Sequence, residues 1–101
     1  MADRQFQFEW DEAKAATNLR KHGVAFELAR TVFSDPRILT VADLEHSESE
    51  ERWLSIGCAS NGTILSIAYL WDEGDPETTA IRVISARRAT QSEIRYYEGS
   101  L

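Results

Sequence analysis

The chain has 101 residues, of which 43% are hydrophobic and 28% charged, and its formal net charge is −6. This length predicts one domain, residues 1–101, and the sequence holds no apolar run of about 18 residues that would predict a membrane-spanning helix. Cys58 is the single cysteine, and the first residues lack the apolar core of a signal peptide, so we expect a cytoplasmic protein. The acidity argues against a general nucleic-acid coat, because phosphate contacts need cations.

The first predicted element is a helix over "DEAKAATNLRKHG". Asp11 can cap its free amides, and Gly23 supplies the stop. Ala13, Ala16 and Leu19 recur at helical spacing and form a thin apolar stripe. A second, short helix is predicted over "AFELARTVF" and ends before Pro36, which disfavours helix at the preceding residue.

Strand-like segments rich in β-branched and aromatic residues follow: "RILTVAD", "RWLSIGCA", "TILSIAYLW" and "TAIRVISA". The Asn-Gly pair of "SNGT" predicts a hairpin between the second and third. Thr90 and Glu93 match the Thr-x-x-Glu capping box, so a last helix should begin near Thr90. The order predicts an α+β fold with two amino-terminal helices, a four-stranded antiparallel sheet and a carboxyl-terminal helix.

Acidic residues are concentrated in two segments of the chain. Residues 43–51 and 72–77 hold nine of the 17 acids and no lysine or arginine, which leaves eight acids against 11 bases elsewhere. Nine of those bases are arginine, which stays ionised and binds phosphate or carboxylate oxygens in a two-pronged geometry. Outside the acidic segments, the chain is therefore suited to binding anions.

Three arginines lie in the last predicted strand and in the turn that follows it. Strand alternation puts Arg82 on one face with Ile84 and Ala86, either as an ordinary exposed sheet arginine or as an anion ligand. Arg87 and Arg88 are predicted in the turn before the helix, where free amides favour anions. This layout can hold an anion between the strand and the start of the helix.

Other candidate residues are scattered along the chain. Lys21 and His22 end the first helix, where they complement its dipole or supply a phosphate contact and a group that titrates near neutral pH. Arg52 opens the second strand and can pair with the acids that precede it. Of the adjacent Tyr96 and Tyr97, one is expected in the core and the other partly exposed.

Several of these stretches together resemble the BrnT family of bacterial toxins, one half of a type II toxin–antitoxin pair. They are "FEWDEAKAATNLRKHGVAFELARTVFSDP", "ERW…IG" and "IRVISARRAT…E…YYE", and they cover most of the chain. The resemblance implies a RelE-like fold, an endoribonuclease that inhibits growth, and a cognate BrnA-like ribbon-helix-helix antitoxin that binds operator DNA. A dimer or a toxin–antitoxin hetero-oligomer is expected. At Gln91, Ser92 and Ile94 the chain departs from family members, which often carry further basic residues there.

The resemblance also implies a set of site residues. They are Lys21 and His22 of "KHG", Arg52 of "ER", Arg82 and Arg87 of "IR-I-SAR", and Tyr97. Cleavage without a metal or cofactor would use the 2′-hydroxyl of the RNA, cations on the phosphate, a general base and a proton donor. We expect Arg82 and Arg52 to clamp the phosphate, with Arg87 assisting. His22 is the candidate acid or base, Lys21 can contact phosphate or transfer a proton, and Tyr97 is a candidate acid.

Two other classes of function fit parts of the sequence. A non-catalytic binding module would use the same basic surface to dock an acidic or ribbon-helix-helix partner and would act in operon autoregulation. A metal hydrolase would use His46 and the acids around it, although that segment lacks metal-ligand spacing. Cleavage of RNA in the presence of EDTA separates the toxin from both alternatives.

Overall fold

The computed structural model describes residues 5–43, 52–72 and 78–99. Its elements in chain order are β1 (Gln5–Glu9), α1 (Glu12–His22), α2 (Phe26–Ala29), a 3₁₀ helix (Arg30–Ser34), β2 (Leu39–Ala42), β3 (Arg52–Cys58), β4 (Ile64–Asp72), β5 (Thr78–Arg88) and α3 (Gln91–Gly99). The five strands form one sheet in the order β1-β5-β4-β3-β2. None of the described helices is long and apolar enough to cross a membrane.

The α+β class is confirmed, but the prediction of four antiparallel strands after two helices is wrong. The first described element is β1, which runs parallel to β5 and makes the sheet mixed, whereas the other neighbouring strands are antiparallel. Phe6 and Phe8 alternate with polar residues, which is the period of a half-buried strand. Because β5 lies near the other end of the chain, no local turn signal marks this pairing.

The caps of α1 are those expected from the sequence. The Asp11 carboxylate accepts hydrogen bonds from the amides of Ala13 at 2.8 Å and Lys14 at 3.1 Å, and these bonds lower the pKa of Asp11. Gly23 ends the helix in the left-handed region with φ 68°. The predicted apolar stripe is wrong, however, because Leu19 is 51% exposed and Asn18 is the buried residue of the helix.

The predicted second helix is divided between α2 and the 3₁₀ helix. The two helices contribute three buried residues to the main core, where they pack with residues of β4 and β5. These are Phe26 and Ala29 of α2 and Val32 of the 3₁₀ helix. The 3₁₀ helix approaches β3 so closely at Gly57 that a Cβ there would lie 2.7 Å from Val32 Cγ1. Glycine at this position lets the helical layer rest on the sheet.

The predicted hairpin joins β3 to β4. The Ala59 carbonyl accepts the Gly62 amide at 2.9 Å, and the Thr63 carbonyl accepts the Ala59 amide at 2.9 Å. Gly62 has a positive φ of 88°, whereas the φ of Asn61 is not positive. Only the glycine of the Asn-Gly pair therefore adopts the left-handed conformation that glycine favours. The Asn61 side chain instead accepts the Thr63 amide at 3.1 Å.

A β-bulge interrupts the pairing of β4 with β5. Val83 pairs with Tyr69 and Ser85 pairs with Ala68, so Ile84 has no partner in β4. The extra residue changes the alternation of β5. Ala86 therefore lies on the core face with Val83 and is fully buried, and the prediction that Ala86 shares a face with Arg82 is wrong.

Candidate active site

Two of the predicted phosphate ligands lie in one row across the sheet. Arg52 of β3 and Arg82 of β5 both pair with Leu70 of the intervening β4, and residues paired across strands point to the same side. Because neighbouring strands lie about 4.8 Å apart, the two Cα atoms are roughly 10 Å apart. Arg52 is half-buried and Arg82 is exposed.

Arg87 joins the same face because of the bulge. Positions 82 and 87 have opposite parity, so in a regular strand their side chains would lie on opposite faces. Arg87 pairs with Ser66, which is on the Leu70 side of β4. At about 3.3 Å per residue, Arg87 lies about 13 Å along the sheet from Arg82. We call the surface that bears Arg52, Arg82 and Arg87 the arginine face.

Among the residues that the structure describes, Arg82 makes one weak ion pair. Its Nη1 lies 3.9 Å from Glu9 Oε1, and the two side chains are 48% and 59% exposed. An exposed pair at this distance contributes about 0–1 kcal/mol. Arg82 can therefore leave Glu9 for a phosphate at little energetic cost.

Arg87 is held much more firmly than Arg82. Arg87 and Arg88 end β5 rather than lying in a turn, which corrects the prediction. Arg87 Nη1 donates to Glu93 Oε1 at 2.7 Å, and Nη2 donates to Oε2 at 3.1 Å. The hydrogen bond from Arg87 lowers the pKa of the Glu93 carboxyl.

The predicted capping box at the start of α3 is confirmed. The Thr90 amide donates to Glu93 Oε1 at 2.8 Å, and the Glu93 amide donates to Thr90 Oγ1 at 3.1 Å. The Glu93 carboxylate thus fills the position between strand and helix that the sequence predicted for an anion.

Lys21 and His22 are exposed in the last turn of α1, beside β5. The helix is fixed there by Asn18, whose Nδ2 donates to the carbonyls of Ala86 at 2.8 Å and Val24 at 2.9 Å. Asn18 Oδ1 accepts the Ala86 amide at 3.1 Å. The side-chain amide therefore acts as one more residue on the edge of β5, beyond the end of β1. α1 continues past Asn18 by one turn, about 5 Å, to Lys21 and His22.

Tyr97 is 6% exposed, and Tyr96 is 63% exposed, which confirms the expected division between them. The Tyr97 hydroxyl donates to Asp35 Oδ2 at 2.6 Å, and the same oxygen accepts the Cys58 amide at 2.8 Å. The bond to Asp35, with burial as a smaller cause, raises the pKa of Tyr97 to about 12. Arg52 opens β3 and Cys58 ends it, so the hydroxyl is roughly 20 Å from the Arg52 position.

The six predicted residues therefore divide into groups. Arg52 and Arg82 share a row, Arg87 lies farther along the same face, and Lys21 and His22 lie at the end of the helix beside β5. The Tyr97 hydroxyl faces Asp35 instead. His46, the candidate metal ligand, lies outside the described residues, and among residues 5–43, 52–72 and 78–99 no cluster of three His, Cys, Asp or Glu side chains could hold a metal ion.

Comparison with known proteins identifies the family of this chain. Residues 10–93 match the model of the ribonuclease toxin BrnT of type II toxin–antitoxin systems. The chain belongs to the BrnT family. A solved structure, the Brucella abortus ribonuclease toxin BrnT, is 25% identical, with a TM-score of 0.56 over 86% of this chain and 99% of that one. No curated protein matches the sequence.

The match to the BrnT family includes five of the six candidate site residues and ends before Tyr97. Family membership thus supports a ribonuclease toxin with an antitoxin partner, without assigning roles to individual side chains. No sequence pattern indicates the roles of Asn18 and Asp35, two residues that position the elements around the site. Asn18 lies in a helix that is predicted from its caps and apolar residues, and Asp35 precedes Pro36 with no pattern that indicates its bonds to Tyr97 and Cys58.

Proposed function

We propose that this BrnT-family chain is a cytoplasmic endoribonuclease that cleaves RNA by attack of the substrate's own 2′-hydroxyl and is neutralised by a cognate antitoxin. The observation that carries the proposal is the arginine face, where Arg52 and Arg82 stand in one row and Arg87 follows along the strand. Guanidinium groups bind phosphate oxygens in pairs of parallel hydrogen bonds. The family supplies RNA as the substrate class.

The reaction needs no group beyond the RNA and the side chains of the chain. The 2′-hydroxyl loses its proton and attacks the adjacent phosphorus, and the bond to the 5′-oxygen breaks to leave a cyclic phosphate and a 5′-hydroxyl. Arg82 and Arg52 would bind the phosphate oxygens from both sides of Leu70 and stabilise the charge that develops in the transition state. Arg87 would bind the neighbouring backbone.

Proton transfer would fall to the end of α1. The imidazole of His22 would accept or donate a proton, and Lys21 would contact phosphate beside it. Tyr97 is poorly suited to donate, because its proton already bonds Asp35 and its pKa is raised to about 12. For Tyr97 we propose a positioning role that joins α3 to the loop before β2.

The test compares two arginine variants on opposite faces of the sheet. Arg82→Ala should lower the rate of RNA cleavage by about 100-fold or more, the loss typical of removing one donor that stabilises the transition state. Arg30→Ala is the matched control, since Arg30 lies over the Phe8 ring at 5.1 Å on the core side. Cleavage by the wild type should survive EDTA. A well-folded Arg82→Ala protein that cuts RNA at the wild-type rate would contradict the proposal.

A non-catalytic binding module is the second candidate, and one observation favours it. Arg87 already binds a carboxylate in a two-pronged geometry, so the arginine face can accept acidic protein segments as well as phosphate. Such a module would dock an acidic or ribbon-helix-helix partner and act in autoregulation of its operon. Purified protein that cuts no RNA under any condition would favour this candidate, and cleavage abolished by EDTA would favour a metal hydrolase.

A further inference from the structure

Arg87 and Arg82 differ in what their guanidinium groups contact in the free protein. Within the described part of the chain, the ion pair of Arg82 is the long one with Glu9. Arg87 presents both terminal nitrogens to the two oxygens of Glu93, at 2.7 and 3.1 Å. This is the geometry in which arginine binds phosphate. The carboxylate thus occupies the edge of Arg87 that a phosphate would use.

The carboxylate of Glu93 is held in place from a second direction. Its Oε1 accepts the Thr90 amide as well as Arg87 Nη1, so the side chain is fixed at the first turn of α3. The Glu93 side chain is 22% exposed, against 40% for Arg87. A phosphate that approaches Arg87 would meet this fixed negative charge.

Glu93 and Glu9 neutralise the arginines of the arginine face to different degrees. Each phosphate contact that a protein makes to a single strand depends on an unneutralised cation. Glu93 cancels the charge of Arg87, whereas Glu9 cancels that of Arg82 only weakly because both groups are solvated. The turn around Glu93 also carries no added base at Gln91, Ser92 or Ile94.

We infer that Glu93 is an internal competitor of RNA: its carboxylate occupies Arg87 in the free protein and lowers the affinity of the arginine face for the RNA backbone. The inference rests on the proposed function, since it concerns the same surface and the same substrate. It assigns Glu93 a part in setting RNA affinity, in addition to its structural part as the capping residue of α3.

Glu93→Gln separates these two parts. Glutamine serves at the third position of a capping box as glutamate does, so its amide oxygen can still accept the Thr90 amide. The variant loses the negative charge and keeps the size of the side chain. Glu98→Gln is the matched control, because Glu98 is an exposed acid on the same helix with no described bond to an arginine.

The probe is a single-stranded RNA oligonucleotide with 2′-O-methyl riboses, which lack the attacking hydroxyl and so report binding alone. Glu93→Gln should bind it about tenfold more tightly than the wild type, the strength of one good polar contact. The slope of log affinity against log salt should steepen by about 0.7, the value for one more phosphate contact on a single strand. A purely structural role for Glu93 would not change this slope. Glu98→Gln should leave the slope unchanged.

A double variant locates the effect. If Glu93 acts through Arg87, Glu93→Gln in an Arg87→Ala background should have no effect on RNA affinity. Equal affinities for wild type and Glu93→Gln, or no binding by either, would overturn the inference and would indicate that RNA does not use this edge of Arg87. Tighter binding without cleavage of ordinary RNA would instead overturn the proposed catalysis and leave the competition in place.

Discussion

Asn18→Ala is predicted to destabilise the protein severely, although asparagine on a helix is usually a surface residue. Asn18 is 5% exposed and makes three hydrogen bonds, two with the backbone of Ala86 and one with the carbonyl of Val24. Alanine suits a helix but makes none of these bonds. The substitution leaves one buried amide and two buried carbonyls without partners.

The expected loss follows from these three groups. A buried polar group that loses its partner costs about 1–3 kcal/mol. Water that enters the vacated space satisfies part of the set, so we expect a loss of about 4 kcal/mol, in the upper range for single substitutions. For a chain of this length, that loss lowers the melting temperature by roughly 20 °C.

Urea unfolding followed by circular dichroism measures the change, with Thr17→Ala as the control on the same helix. Thr17 is exposed and accepts one bond from Arg20 at 3.3 Å, so its removal should change stability by less than about 0.5 kcal/mol. Asn18→Asp tests the need for a donor at this position, because it places a carboxylate against the carbonyls of Val24 and Ala86. The loss of stability in this variant should become smaller as the pH falls and the carboxylate is protonated. A loss below about 1 kcal/mol for Asn18→Ala would refute the reasoning.

Three further predictions concern α3 and β3. Tyr97→Phe should lower the free energy of unfolding by about 2 kcal/mol, the strength of a hydrogen bond to a charged group, and should retain RNA cleavage. Loss of cleavage with unchanged stability would indicate that Tyr97 acts as the acid of the reaction. Because the hydrogen bond from Arg87 lowers the pKa of Glu93, the unfolded chain takes up this proton first. The contribution of the pair to stability should therefore be present above about pH 5 and be lost as the pH falls further, so acid titrations should show a smaller loss of stability in Glu93→Gln. Gly57→Ala should cost about 1–3 kcal/mol in urea unfolding, since its Cβ would lie 2.7 Å from Val32 Cγ1; wild-type stability would contradict the described contact.

The sequence predicted the parts of the fold whose causes lie within a few residues. The caps of α1 and α3 are formed by side chains that bond amides two or three positions away, as Asp11 does with Ala13 and Glu93 with Thr90. The hairpin at Gly62 depends on one positive φ between two apolar runs. Such signals are local, and the structure confirms each of them.

The features that were missed depend on distant partners. β1 is a strand because it pairs with β5, and nothing near residue 5 indicates that partner. Asn18 is buried because Ala86 presents a free strand edge to it. For the site, residue types could be named from the family resemblance, but their grouping required the register of β3, β4 and β5. The pairing of Tyr97 with Asp35 spans 62 positions and likewise leaves no local signal.

The bulge at Ile84 links the stability of the sheet to the composition of the arginine face. Without the extra residue, the alternation that buries Ile81 and Val83 would continue through Ser85, and Arg87 would pair with Leu65, on the core side of β4 where Arg88 now lies. Ser85 would then replace Ala86 opposite Ile67 in the core, where a hydroxyl without a partner costs about 1–3 kcal/mol. The bulge instead places Ala86, which is fully buried, at this position. Folding alone therefore favours the register that places Arg87 on the side of Arg82. The packing demand of the core thus also determines which arginines an RNA strand would meet.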